Sequence, residues 1–110
     1  MKIDKEFCPV RDIISHLGDK WSILIIVMLS QSTSMRFSEL QREIPDISQK
    51  MLTQTLRKLE GMSLIERAIY PEVPPHVEYN LSPLGQSFVH TLTPIIEWAK
   101  SNKQQILKSN

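Results

Sequence analysis

Six polar side chains recur between positions 49 and 58 at a spacing that would place them along one side of a helix. They are Gln49, Lys50, Thr53, Gln54, Arg57 and Lys58, and no acidic residue lies among them. Gln, Thr and Lys can donate hydrogen bonds to base edges, while Arg and Lys can also neutralise phosphate charge. This face is therefore suited to binding nucleic acid in a major groove. A solvated helix face of the same composition is the alternative interpretation.

The other side of the same segment is apolar. Its apolar positions are Met51, Leu52, Leu56 and Leu59. Their spacing predicts a helix that packs against a core. Ser48 is a good N-cap for this helix, and Gly61 is predicted to end it.

Three further helices are predicted before this segment, at 10–17, 20–29 and 36–44. The second is apolar nearly all round, so we expect it to be the buried central helix, with Asp19 as its cap. About four residues separate the third helix from the one that Ser48 opens, which is the length of a helix-turn-helix turn. Arg36 and Ser38, at the exposed start of the third helix, are candidate phosphate contacts or plain solvent-exposed residues.

After position 61 the pattern changes to two β-favouring runs, at 64–70 and 77–81. The intervening segment PEVPPH cannot be helical, so the two runs predict a hairpin. A final helical region begins after Ser82 and keeps its apolar spacing to the end of the chain. Pro94 interrupts this region and predicts either a kink or two helices, with Thr93 capping the second.

These elements carry several ordered motifs. The motifs are CPV at 8–10, GDKW at 18–21, RFSEL at 36–40, ISQKMLT at 47–53, LRKLE at 56–60 and YPEVPPHVEY at 70–79. Over roughly residues 8–99 they resemble the HxlR-type, MarR-like winged-helix transcriptional regulators. The resemblance implies a mainly α fold with a small β-hairpin wing, in which extra N- and C-terminal helices mediate dimerisation. It also implies a homodimer that binds operator DNA as a repressor or an activator.

Such a fold gives the polar residues different roles. We expect Gln49, Lys50, Thr53 and Gln54 to read bases, because the start of a recognition helix reaches base edges first. Arg57 or Lys58 is expected to contact the backbone, and Ser48 to combine capping with a phosphate contact. Wings of the family often carry arginine where this chain has His76, which is mostly neutral at pH 7. The wing is therefore expected to contribute less than the helix, and to contribute more at lower pH.

Cys8 has two interpretations. A lone cysteine is commonly a small, partly buried apolar residue. The resemblance also implies a redox or electrophile sensor, because some HxlR-type regulators use a cysteine at this position. Lys5, Arg11 and the helix N-terminus would lower the thiol pKa, whereas Glu6 would oppose them.

The terminal helices carry more apolar residues than one small core needs. The predicted dimer-interface residues are Val10, Ile13, Ile14, Leu17, Ile95, Ile96, Trp98 and Ile106. A twofold dimer would bury them. A monomer with its C-terminal segment folded back is the alternative.

The length, charge and cysteine content of the chain indicate which class of protein it belongs to. The chain has 110 residues, 41% of them hydrophobic, and a formal net charge of +1, which favours one domain over residues 1–110. The single cysteine excludes an internal disulfide, and neither a signal segment nor an apolar run of membrane-spanning length is evident. We expect a cytoplasmic protein that does not bind a membrane.

The sequence shows no catalytic or metal-binding motif. His16, His76 and His90 are too scattered for a metal site, and no nucleophile or glycine-rich phosphate loop is recognisable. We therefore predict no metal, no cofactor and no enzymatic activity. Two alternatives stay open: a winged-helix protein-interaction module without DNA binding, and a regulator controlled by a small molecule or electrophile bound between protomers.

Overall fold

The computed structural model describes residues 7–108, with side chains from residue 9 onward. Its elements are α1 (Phe7–Leu17), α2 (Ser22–Ser30), β1 (Met35–Arg36), α3 (Phe37–Glu43), α4 (Gln49–Gly61), β2 (Ile65–Tyr70), β3 (His76–Leu81), α5 (Pro83–Ser101) and α6 (Lys103–Leu107). The fold is mainly helical with one small antiparallel sheet, as predicted.

Helix α2 is the centre of the core. Ile25, Ile26 and Leu29 are almost completely buried, in a cluster that also includes the buried side of α4. The helix begins at Ser22, two residues later than predicted, and its N-cap position is Trp21 and not the predicted Asp19. Asp19 nevertheless contacts the first residues of the helix. The Asp19 carboxylate accepts hydrogen bonds from the Trp21 backbone N–H at 3.2 Å and from the Ser22 hydroxyl at 2.5 Å.

No single helix among residues 7–108 is long and apolar enough to cross a membrane. Pro9–Leu17 and Ser22–Ser30 meet that requirement only when taken together, and they are bent by 77°.

The sheet contains a strand that the sequence did not predict. The predicted hairpin is present as β2 and β3, with Ile65 opposite Leu81 at its base. Strand β1 pairs with the other edge of β3, giving the order β1-β3-β2 and placing Arg36 opposite Glu78. A strand of two residues is too short to show alternation, so Arg36 was assigned to the third helix. This pairing joins the start of α3 to the wing.

The end of α4 also differs from the prediction. Gly61 is the last helical residue, and Ser63 instead adopts the left-handed conformation, with φ of 64°. The Ser63 N–H donates to the Glu60 carbonyl at 2.9 Å, and the Leu64 N–H donates to the Leu59 carbonyl at 3.0 Å. These bonds satisfy carbonyls at the end of the helix without a glycine.

Helix α5 continues through Pro94, so the prediction of a second helix capped by Thr93 is wrong. The Thr93 hydroxyl donates to the Val89 carbonyl at 3.1 Å, within the same helix. Pro94 removes the hydrogen bond to the His90 carbonyl, but both residues are exposed and water can replace it. The break lies at Asn102, before α6.

Candidate nucleic-acid interface

Helix α4 presents a polar side to solvent. The Ser48 hydroxyl accepts a hydrogen bond from the Met51 N–H at 3.0 Å, which confirms Ser48 as the N-cap. The exposed polar residues that follow are Gln49, Lys50, Gln54 and Arg57, and we call them the outer face of α4. Leu52, Leu56 and Leu59 are buried on the other side. Within the described part of the chain, no acidic side chain pairs with either cation of the outer face.

Thr53 differs from these residues. It is half-buried, and its hydroxyl donates to the Gln49 carbonyl at 2.9 Å. Its one donor proton is therefore used within the helix, which leaves an acceptor lone pair and a methyl group for other contacts. A role for Thr53 as a donor to a base would require this bond to break.

Lys58 points away from the outer face. Its Nζ donates to the His16 carbonyl at 2.5 Å and to Asp19 Oδ1 at 2.9 Å. Successive helical residues are about 100° apart, so Lys58 lies well round the helix from Arg57. Of the two residues expected to contact the DNA backbone, Arg57 and Lys58, Lys58 thus has partners at the α1–α2 junction.

Met51 was predicted to face the core but is 38% exposed. Its spacing matches that of the buried leucines, and for this reason the sequence did not distinguish it. An exposed methionine beside a polar helix face can make apolar contact, for example with a thymine methyl group.

The start of α3 lies beside the wing. Arg36 and Ser38 are both exposed, and the Arg36 backbone N–H donates to Glu39 Oε1 at 2.8 Å. The pairing of β1 with β3 brings Arg36 close to the Glu78 carboxylate, whose charge it faces. Arg36 is therefore a cation partly balanced by the wing.

His76 is held between two carboxylates. Its Nδ1 lies 3.0 Å from Glu72 Oε2 and its Nε2 lies 3.0 Å from Glu78 Oε2, while its ring stacks on Tyr70 at 4.8 Å. Hydrogen bonds from Ser34 and His76 lower the pKa of Glu78. The two carboxylates beside the ring make the tip of the wing acidic. The expectation that the wing contributes more to DNA binding at lower pH stays a prediction.

The predicted dimer residues separate into two groups. Leu17 is buried in the protomer's own core, and Ile96 is half-buried against the same core. Helical spacing alone could not distinguish them from their exposed neighbours. The exposed residues are Val10, Ile13, Ile14, Ile95, Trp98 and Ile106. The side chain of Cys8 lies outside the described residues.

A cleft of about 360 Å³ lies between α1 and α5. Its walls are mainly apolar and include Ile13, Leu17, Met62 and Phe88. The exposed side of α1 thus continues into a recess that α5 borders.

Known proteins share this architecture. Residues 16–107 match the family described as HxlR-like helix-turn-helix. The HTH-type transcriptional regulator YtfH of Escherichia coli K12 is 41% identical over 102 residues, which cover 93% of this chain and 80% of that protein. The solved structure of the redox regulator HypR in its reduced form is 34% identical, with a TM-score of 0.83, and the match covers 93% of this chain and 99% of that one.

The solved structure of the HTH-type transcriptional regulator YtcD is 41% identical, with a TM-score of 0.79, and the match covers 84% of this chain and 94% of that one. These similarities confirm the winged-helix fold and the resemblance of the motifs. They also indicate a regulatory protein and not an enzyme. This chain belongs to the HxlR family and is a helix-turn-helix transcriptional regulator.

Proposed function

We propose that the protein is a homodimer that binds a pseudo-palindromic operator, with the outer face of α4 in the major groove. The observation that carries the proposal is the outer face itself: Lys50, Gln54 and Arg57 are exposed, and no acid of the described chain neutralises the two cations. In a dimer, two copies of α4 would enter successive major grooves about 34 Å apart. Gln49, Lys50 and Gln54 would read bases, and Arg57 would contact phosphate.

The test is a gel shift with duplex DNA from the chain's own promoter region at several salt concentrations. Each phosphate contact adds about one to the slope of log affinity against log salt. Arg57→Gln should lower affinity and flatten that slope, whereas Lys100→Gln, which removes an exposed cation from α5, should change neither. Absence of a shift at low salt would reject operator binding and favour the protein-interaction module.

The proposal gives a smaller part in DNA binding to Arg36, Ser38 and His76. Arg36 and Ser38 would approach the backbone beside α4, since helix-turn-helix proteins place the preceding helix across it. His76 would order the wing through its contacts with Glu72 and Glu78. The protein would act in the cytoplasm, where the chromosome is accessible.

Redox control through Cys8 is a second proposal, supported by the similarity to the redox regulator HypR. Two Cys8 thiols of a dimer, or Cys8 and a small thiol, would form a disulfide and give two electrons and two protons to an oxidant such as a peroxide. The experiment compares operator binding before and after diamide treatment. Wild-type protein should lose binding and recover it with dithiothreitol, and a loss that persists in Cys8→Ser would reject the proposal.

A small apolar effector is the alternative signal, and the cleft between α1 and α5 supports it. The cleft borders the exposed apolar side of α1, so a bound molecule would contact the proposed dimer interface. Apolar compounds should raise the melting temperature of the wild-type protein if they bind in the cleft. They should not raise it in Ser87→Phe, whose larger side chain would fill the cleft.

A further inference from the structure

Lys58 connects three helices. It lies near the C-terminal end of α4, while His16, whose carbonyl accepts one of its hydrogen bonds, lies in the last turn of α1. Its second acceptor, Asp19, also holds the start of α2 through Ser22 and the Trp21 N–H. An ammonium group is well placed at the C-terminal end of a helix, where carbonyls lack partners inside the helix.

A second contact joins the same junction to the other end of α4. Lys20 Nζ lies 3.5 Å from Asp46 Oδ2, in the turn just before Ser48, and 4.6 Å from the centre of the Trp21 ring. This exposed pair is weak by itself. Together with the Lys58 contacts, however, the junction after α1 contacts the last turn of α4 at Lys58 and the turn before α4 at Asp46.

We propose that Lys58 is a positioning residue, which fixes the orientation of the outer face of α4 relative to α1 through His16 and Asp19. This inference rests on the proposed function. Helix α1 carries the exposed apolar residues of the proposed interface, so a displacement of α1 would reach α4 through these hydrogen bonds. Lys58 would thus act on DNA binding without touching DNA.

Removal of the charge of Asp19 gives a sharp test of this role. Asp19→Asn removes a negative charge, so an electrostatic effect alone would tighten DNA binding. Loss of positioning would instead weaken it, by about tenfold if one charge-assisted hydrogen bond is lost. We expect Lys58→Met and Asp19→Asn both to weaken operator binding while the salt slope stays unchanged, and Lys58→Arg to retain most of the affinity.

Arg57→Gln is the matched comparison, because it removes a neighbouring cation that we assign to phosphate and should lower the slope by about one. A slope lowered by about one in Lys58→Met, with wild-type or tighter binding in Asp19→Asn, would overturn the positioning role and make Lys58 a phosphate contact.

A measurement without DNA separates this inference from the proposed function. In ¹H–¹⁵N spectra of the free protein, Lys58→Met and Asp19→Asn should change the chemical shifts of the same backbone amides at the start of α4, around Gln49 and Lys50. Lys100→Met should leave these chemical shifts unchanged. Unchanged α4 amides in both variants would reject positioning, whether or not the wild-type protein binds DNA.

Discussion

Ser48 combines two roles that a pair of substitutions can separate. Its hydroxyl caps α4, and its place at the helix start puts it beside the N–H groups that would face a phosphate. Ser48→Ala should lower the free energy of unfolding by about 1 kcal/mol, measured by urea denaturation. Ser48→Asp should preserve that stability, because aspartate is also a good cap, but should weaken operator binding by charge repulsion. Wild-type affinity in Ser48→Asp would show that this end of α4 does not approach phosphate.

The lowered pKa of Asp19 predicts how the stability of the fold depends on pH. Burial raises the pKa of Asp19, but hydrogen bonds from Ser22, Lys58 and the Trp21 N–H outweigh burial and lower it from 3.8 to about 2. Because the pKa is lower in the folded state, the ionised carboxylate stabilises the fold fully above pH 3.8 and loses this effect as the pH falls through 2.

Asp19→Asn should therefore reduce the free energy of unfolding at pH 7 by about 1 kcal/mol, a modest value because the side chain is partly exposed to solvent. The difference from wild type should shrink as the pH falls from 4 to 2. Urea denaturation at pH 7, 4 and 2 measures it. A difference that stays constant across this range would contradict the assignment.

At the scale of elements, Gly85 determines how α5 packs on the turn after α4. A Cβ at Gly85 would lie 2.1 Å from the Leu64 carbonyl oxygen, and the Ser82 hydroxyl holds the same region by donating to the Ser63 carbonyl at 2.6 Å. Gly85→Ala should therefore cost more than about 2 kcal/mol, since the backbone must shift.

Gly61→Ala is the matched control for Gly85→Ala, because it lies in a helix with nothing within 4 Å of the added Cβ. It should raise stability by about 0.5–1 kcal/mol. Thermal or urea denaturation compares the two variants. Equal effects on stability would show that the close approach at Gly85 is relieved without cost.

The elements also show what the sequence could predict. Helical periodicity located α2, α4 and α5, because each has a long apolar stripe or a clear cap. It failed for β1, whose two residues form a strand only through pairing with β3. Periodicity also could not predict side-chain partners that come from distant parts of the chain. Lys58 belonged to the polar pattern by spacing, yet its partners lie 42 and 39 residues away.

For the whole molecule, a net charge of +1 limits nonspecific attraction to DNA. In the proposed complex the wing would add little, since His76 lies between Glu72 and Glu78. One protomer would therefore offer few cations to phosphate, chiefly Lys50 and Arg57. The proposed dimer would double these contacts and link two half-sites, so the oligomeric state should control operator affinity.

The proposed dimer is testable through the exposed apolar residues of α1 and α5. Ile14 on α1 and Trp98 on α5 are 59% and 60% exposed, which is unusual for large apolar side chains without a partner. Ile14→Glu and Trp98→Glu should each shift the protein toward monomer in analytical ultracentrifugation, because twofold symmetry places every added charge in the interface twice. Ile69→Glu is the control, since Ile69 is 63% exposed on the wing. If both interface variants remain dimeric at the same concentrations as this control, the dimer uses another surface.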